Sequence, residues 1–298
     1  MNKTSREEFW KLLNEIAPLK LAGSWDNVGI LLDPLVSQPK KVNQEKVLLT
    51  IDLTESVFEE AIAGNFTIII AYHPIIFGGV KRLTQSDSQS RILLRAAQSE
   101  ISIYSPHTAL DAVQKGVCDW LAATIIHPLE QQLSLNSLHH LVEHCEQYQA
   151  IEQNPMNELE GAGRLLRLRK PLSLSQICQR LHHRLNMGLS SSQNPVYLRT
   201  VRPQKMEQDK LNIRSIALCP GAGGSLFENL QDVDLLITGE MRHHDLLHKS
   251  AHGTAVVLTE HSRCERGYLP LYAEWLKQII GCEVYCATTD DDPLTLFI

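Results

Sequence analysis

The chain has 298 residues, of which 43% are hydrophobic and 21% are charged, with 16 Gly and 13 Pro. This balance is typical of a globular protein and excludes the disordered, fibrous and membrane-spanning classes, and the length favours two α/β domains over one. The net charge of −6 leaves no basic surplus to neutralise a phosphate backbone, so direct DNA binding is not expected.

Cysteine usage and the first residues predict an intracellular protein without a membrane partner. The seven cysteines are an odd number and contain no C-x-x-C pair, so we expect reduced and mostly buried thiols. The start carries Glu7 and Glu8, unlike a transit peptide, and no apolar run is long enough to cross a bilayer. The expected location is the cytoplasm, with the nucleus as a second possibility.

The first 130 residues alternate between helical and strand-like patterns. Residues 5–17 place Phe9, Leu13 and Ile16 on one face and predict an amphipathic helix. Short apolar runs predict buried strands at 47–53, 67–72 and 101–104, and helical patterns fall at 55–63, 88–98 and 115–125. This order is that of a β-α-β-α-β lobe.

The remaining residues repeat the α/β theme after a change in composition near residue 130. We therefore predict an N-terminal lobe over 1–130 and a C-terminal lobe over 131–298. The polar stretch 203–210 predicts an exposed loop. Strands are predicted at 163–168, 195–202, 213–219, 233–238, 254–259 and 282–287, and helices at 173–185 and 265–279.

Polar residues directly after buried strands are the first candidates for a binding site, because open α/β sheets bind ligands outside the carboxyl ends of their strands. His73 follows one predicted strand, and Pro74 favours an extended conformation at this position. His107 and Asp111 follow the strand at 101–104 and share a side if the segment forms a helical turn.

A third cluster follows the strand at 254–259, where His261 and Glu265 also lie four residues apart. Imidazole and carboxylate suit divalent cations, and a carboxylate can bridge two ions, so Asp111 and Glu265 are the candidate bridges of a two-metal hydrolytic centre. Two plainer interpretations stay open. A single His is more often a surface or core residue, and Ser262 with Glu265 also fits a helix-capping box.

Two further segments adjoin predicted strands. The glycine-rich run at 220–225 could cradle an anion with its backbone N–H groups, or could be only a tight turn, and it matches neither a P-loop nor a dinucleotide fingerprint. Glu240 follows the strand at 233–238 and either lines the same cleft or begins a helix.

These motifs together resemble the GTP cyclohydrolase I type 2 / Nif-three family, most closely its eukaryotic Nif-three-like branch. The resemblance covers nearly the whole chain and implies two similar α/β lobes with a dinuclear metal site in the cleft between them. It also implies a homo-oligomer, a toroidal hexamer built from dimers. The segments that carry it are SWDNVG (24–29), YHPIIF (72–77), KRLT (81–84), YSPHTALD (104–111), GAGR (161–164), ALCPGAG (217–223), TGEM (238–241) and EHSRCERG (260–267).

Position by position, the resemblance implies that His73, Asp111, His261 and Glu265 are metal ligands. Bacterial-type members carry His-His where this chain has Tyr72-His73, so a ligand of one metal is replaced. A phenol with a pKa near 10 is a poor substitute for imidazole at neutral pH. The second ion is therefore expected to bind weakly, or to depend on His107 or water.

Two functions from different classes follow. The first is a metal-dependent hydrolase of a nucleotide or related cyclic amidine or amide, in which His107 and Glu240 move protons. It would use one or two divalent ions, for which Zn, Mn, Fe and Co are all candidates. The second is a non-catalytic regulatory protein that acts through protein partners, for example in transcription, and the Tyr72 replacement favours it.

Overall fold

The computed structural model describes residues 5–38, 40–187, 195–203 and 212–294. Within them the chain forms a mixed α/β structure, which confirms the predicted fold class, and divides into two compact units. The first unit comprises the described residues of Met1–Leu110 and Leu269–Pro293, and the second those of Asp111–Tyr268 and Leu294–Ile298. Residues 204–210 of the predicted polar loop lie outside the described part.

The described helices and strands are numbered in chain order. The α-helices are α1 (Ser5–Ile16), α2 (Glu55–Ala63), α3 (Ser88–Gln98), α4 (His107–Ala112), α5 (Val117–Ile126), α6 (Leu135–His139), α7 (Leu174–Leu185), α8 (His243–Ala251), α9 (Arg263–Arg266) and α10 (Leu269–Ile280). The strands are β1 (Gly29–Leu32), β2 (Lys46–Thr50), β3 (Ile68–Ala71), β4 (Ser102–Ser105), β5 (Cys145–Gln149), β6 (Glu152–Asn154), β7 (Asn157–Ala162), β8 (Arg164–Ser173), β9 (Arg199–Val201), β10 (Asn212–Cys219), β11 (Leu235–Thr238), β12 (Ala255–Leu258) and β13 (Glu283–Cys286).

The first unit is built on a sheet whose described strands run in the order β1-β4-β3-β2-β13. Strands β13, β2, β3 and β4 pair in parallel, and β1 is antiparallel to β4. The predicted helices at 55–63 and 88–98 are α2 and α3, which begin where Thr54 and Asp87 accept capping hydrogen bonds. Strands β3 and β4 are buried along their whole length, as central strands of a parallel sheet covered on both faces should be.

Strand β13 explains why the first unit differs from the predicted lobe boundary near residue 130. Cys286 is paired with Leu49 of β2, so the C-terminal helix and strand belong to the first unit. The first part of that unit ends at Leu110, and helix α5 belongs to the second unit. The predicted boundary rests on a change in composition along the chain. Such a change carries no information about the pairing of β2 with β13, which lie far apart in sequence.

The second unit contains a mixed sheet with the described strand order β5-β8-β10-β11-β12-β9 and a two-stranded sheet of β6 and β7. Strands β10, β11 and β12 are parallel neighbours. Strand β8 runs antiparallel to β10, and β9 runs antiparallel to β12. Apolar side chains including Phe227, Leu236 and Val256 form a core cluster in this unit. The loops that follow β10, β11 and β12 are therefore brought to one edge of the sheet.

The seven cysteines are all free and are buried or partly buried, as predicted. Among the described residues, no helix has the length and apolar character required to span a membrane.

Candidate metal centre

In the second unit, the loops after β10, β11 and β12 are joined by hydrogen bonds at Thr238, the last residue of β11. Its hydroxyl donates to the carbonyl of Gly221 at 3.0 Å and accepts from the amide of Gly223 at 3.0 Å. The amide of Glu240 also donates to Gly221 O at 3.0 Å. These bonds hold the glycine-rich segment against the segment that carries Glu240.

His261 stands at the centre of this edge and has a carboxylate on each side of its ring. Its Nδ1 donates to Glu240 Oε1 at 3.1 Å, and its Nε2 lies 3.9 Å from Glu265 Oε1. Glu265 is only 2% exposed. A separation of 3.9 Å is longer than a hydrogen bond and is compatible with two atoms that each bind one cation at about 2.0–2.2 Å. His261 and Glu265 could therefore hold a divalent metal ion.

Gly221 leaves the space beside these two atoms open. Its φ of +61° suits glycine, and a Cβ atom at this position would lie 2.9 Å from Glu265 Oε1 and 3.2 Å from His261 Nε2. The side chain absent here would fill the volume in which an ion bound by both residues would lie. The glycine-rich segment therefore turns tightly at Gly221, as one of its two interpretations predicted. This turn adjoins the candidate ligands His261 and Glu265.

Asp111 and Glu265 act on the same buried thiol, that of Cys264. Burial raises the pKa of the Cys264 thiol, and the charges of Glu265 and Asp111 raise it further. Burial and the charge of Asp111 likewise raise the pKa of Cys118. Asp111 thus acts electrostatically on Cys264, the residue next to Glu265, and without a bound cation both thiols stay protonated at neutral pH.

A buried arginine fixes the backbone just after Asp111. Arg164 is 0% exposed, and its Nη2 donates to the carbonyls of Ala112 and Val113 at 3.2 Å each. Its Nε donates to Asp119 Oδ1 at 2.6 Å, and the Tyr148 hydroxyl donates to the same oxygen at 2.7 Å. The GAGR motif therefore supplies an internal support for the segment that carries Asp111.

In the first unit, His73 and His107 show the arrangement seen at His261. His73 Nδ1 donates to Asp52 Oδ1, and His107 Nδ1 donates to Asp26 Oδ1, both at 2.8 Å. The two rings lie 5.5 Å apart between centroids. A carboxylate on Nδ1 fixes ring orientation and makes Nε2 the more effective ligand or proton acceptor, as is common for metal-binding histidines.

Tyr72 is buried beside these rings. It is 3% exposed, and its ring meets that of His107 edge to face at 5.5 Å between centroids. His107 begins α4 with a φ of +30°, which is unusual for a non-glycine residue. The helical turn predicted for residues 107–111 is thus present as α4.

The capping-box interpretation of Ser262 and Glu265 is wrong. Ser262 makes no side-chain capping hydrogen bond at the start of α9, and its hydroxyl instead accepts from Arg266 at 3.1 Å. Glu265 is instead buried beside His261, with its Oε1 3.9 Å from His261 Nε2.

Known proteins resemble this chain along nearly its whole length. The family model described as Duf34/NIF3 (NGG1p interacting factor 3) matches residues 4–293. The chain belongs to this family. The Schizosaccharomyces pombe protein NIF3 homolog is 39% identical over 293 residues, which cover 96% of this chain and 95% of the relative. The Saccharomyces cerevisiae NGG1-interacting factor 3 is 35% identical over 303 residues, covering 98% of each.

A solved structure of a Bacillus cereus protein related to NIF3 has the same fold. Its TM-score is 0.72 at 17% identity, and the match covers 100% of both chains. The resemblance inferred from the sequence motifs is confirmed at the level of the family and the α/β fold.

Of the four predicted metal ligands, Asp111, His261 and Glu265 lie in the second unit and His73 lies in the first. Sequence reasoning missed Asp26 and Asp52 as partners of the histidines. The sequence did carry a signal for Asp52. Asp52 comes just after β2 and His73 comes just after β3, and these two strands are parallel neighbours. Asp26 lies in a loop before β1 and is brought to His107 only by the fold.

Proposed function

We propose that this chain binds a divalent metal ion through His73, Asp111, His261 and Glu265, and that it hydrolyses a nucleotide or a related cyclic amidine or amide. The observation that carries the proposal is the geometry at His261. Its Nε2 and a buried carboxylate oxygen of Glu265 lie 3.9 Å apart beside the space left open at Gly221.

The protein's own groups have distinct roles in this proposal. Glu240 and Asp52 hold the Nδ1 atoms of His261 and His73, which leaves Nε2 of each imidazole as the ligand atom. His107 is held in the same way by Asp26, so its Nε2 is suited to take and return a proton. A divalent ion, when bound, supplies Lewis acidity that polarises a substrate and favours loss of a proton from water.

We further propose that one ion is held firmly and a second only weakly. Tyr72 stands where bacterial-type relatives are expected to carry a histidine, and its phenol is buried against His107. A buried phenol is a poor ligand at neutral pH because ionising it in an apolar environment is costly.

Metal analysis of chelator-treated protein reloaded with Zn²⁺ or Mn²⁺ tests the metal site. His261→Ala, Glu265→Gln, His73→Ala and Asp111→Asn should each lower the bound metal, while the exposed His139→Ala, which lies on α6, should not. Unchanged metal content in His261→Ala and Glu265→Gln would remove the proposed site.

Hydrolysis is tested separately with GTP in the presence of Mn, Zn, Fe or Co. We expect turnover by the wild type with at least one metal and none by His261→Ala. Equal rates for the two proteins with every metal would exclude GTP as the substrate without affecting the metal site.

A second candidate is a regulatory role through protein partners, which the printed name of the yeast relative favours, since that protein is called NGG1-interacting factor 3. In this role we expect the protein to be present in the nucleus as well as in the cytoplasm. We also expect copies of the chain to assemble into a hexamer. Pull-down with an NGG1-type protein and a His73→Ala/Asp111→Ala variant tests it. Equal capture by wild type and variant supports a metal-independent role, and capture by neither excludes this partner. Light scattering tests the hexamer.

A further inference from the structure

Helix α8 carries histidines at a regular spacing along one face. His244 and His248 lie four residues apart, within the helix His243–Ala251, so their side chains share a face. Both line a cavity of about 760 Å³ in the second unit. Glu228, Glu240 and Asp245 line the same cavity.

We propose that His244 and His248 form a separate binding site for a borderline divalent ion such as Zn²⁺ or Ni²⁺. Two imidazoles at positions i and i+4 of a helix can bind one zinc ion, as in helical H-x-x-x-H metal motifs. Water would complete the coordination. This site does not depend on His73, Asp111, His261 or Glu265.

The charges around the cavity favour a cation. Three carboxylates face two basic side chains, Arg242 and Lys249. Lys249 is already bound inward, since its Nζ donates to Phe227 O at 2.7 Å and to Leu230 O at 3.4 Å. Arg242 is exposed at the start of α8. Acidic side chains therefore outnumber basic side chains in the cavity lining.

His252 continues the same spacing but is placed outside the site. Its ring lies 4.2 Å from that of His248 between centroids, and its Nδ1 donates to the carbonyl of His248 at 2.7 Å. It does not belong to the cavity lining. The proposed ligands on α8 are therefore His244 and His248.

This site changes how a metal count is interpreted. This consequence rests on the proposed function, in which a second ion binds only weakly near Tyr72: an ion on α8 would then account for a second equivalent of metal. Two ions per chain would then not identify a dinuclear centre.

Calorimetric titration of chelator-treated full-length protein with Zn²⁺ tests the inference in a His261→Ala/Glu265→Gln background, which disables the proposed centre. We expect one remaining site, whose affinity falls at least tenfold with His248→Ala and with His244→Ala. His243→Ala is the matched control, since it is a neighbour on the same helix that does not line the cavity, and it should leave the affinity unchanged. His252→Ala should also leave it unchanged.

Several outcomes would overturn the inference. These are no Zn²⁺ binding in the His261→Ala/Glu265→Gln background, equal affinity with and without His248, or loss of the site with His252→Ala alone. Circular dichroism melts of each variant establish that a loss of binding is not a loss of folding. The reverse background, His244→Ala/His248→Ala, reports on the proposed centre by itself, so failure of one site is distinguishable from failure of the other.

Discussion

Gly221 approaches Glu265 so closely that a single added carbon would touch the carboxylate. A Cβ atom on Gly221 would lie 2.9 Å from Glu265 Oε1, and the backbone there has a φ of +61°. Both facts demand glycine, one because of space and the other because of conformation. The space that Gly221 leaves open is also the space that a metal ion on His261 and Glu265 requires.

Gly221→Ala should therefore reduce metal binding and lower stability together. The left-handed conformation costs alanine about 1–2 kcal/mol, and the methyl group would displace Glu265 or the ion. Isothermal titration with Zn²⁺ and urea unfolding measure the two effects.

Gly224→Ala is the control for this change. Gly224 has a helical backbone conformation, with φ −54° and ψ −45°, and an added Cβ would meet only Met241 Cγ at 3.8 Å. Alanine at such a position should keep metal binding and raise stability by about 0.4–1 kcal/mol. If Gly224→Ala and Gly221→Ala behaved alike, the argument from Gly221 would fail.

Sequence reasoning located the chemistry through strand ends. His73 and His261 were predicted because each follows a strand that its apolar run marks as buried, and this relation depends only on residues close in sequence. Asp26 was not predicted as a partner, because its contact with His107 joins residues 81 positions apart. A helix in this segment was only one of two interpretations of Glu240, and the bounds of α8 were not predicted, since its polar, histidine-rich sequence leaves only a weak apolar stripe.

The carboxylate partners of the histidines should control metal affinity. Glu240→Gln removes the charge that accepts from His261 Nδ1, and Asp52→Asn does the same for His73. Each should weaken the firmly bound ion by about 10–100-fold, the usual effect of losing such a partner. Competition against a chelator of known affinity measures the change.

Glu228→Gln serves as the control for Glu240→Gln, because Glu228 lines the neighbouring cavity without a hydrogen bond to His261 among those described. It should leave the affinity of the proposed centre unchanged. Equal losses for both variants would mean that the general negative charge, rather than the orientation of His261, sets the affinity.

Asp26 should make stability depend on pH. Burial raises the pKa of Asp26, but hydrogen bonds from His107 and Thr108 outweigh burial and leave the pKa below its ordinary value. A carboxylate with a depressed folded-state pKa contributes stability above its unfolded pKa of about 3.9, and that contribution is lost as the pH falls through the folded-state value.

The expected result is a stability difference between wild type and Asp26→Asn that is largest near neutral pH and shrinks as the pH falls below about 4. Urea unfolding of both proteins from pH 7 to pH 3 measures it. A difference that stays constant over this range would show that Asp26 contributes through packing rather than through its charge.

The buried pair of Arg164 and Asp119 should be the most sensitive electrostatic contact in the second unit. Arg164 Nε donates to Asp119 at 2.6 Å, with both side chains nearly inaccessible. Asp119→Asn would leave the Arg164 charge buried without its partner, which costs about 3–5 kcal/mol. Tyr148→Phe removes one donor to the same carboxylate and should cost less, about 1–3 kcal/mol. This milder variant keeps the test possible if Asp119→Asn does not fold.

Arg167 on the same strand, β8, offers the matched comparison. Its Nε lies 3.2 Å from Glu146 Oε2, but both side chains are exposed. Glu146→Gln should change stability by at most about 1 kcal/mol, because solvent screens exposed pairs. Thermal and urea unfolding of the three variants rank the contacts. If Asp119→Asn were no more costly than Glu146→Gln, Arg164 would be held by its backbone carbonyl contacts alone, and the segment after Asp111 would not depend on the buried carboxylate. If Asp119→Asn does not fold, a Tyr148→Phe cost no greater than that of Glu146→Gln would contradict the importance of the buried network around Asp119.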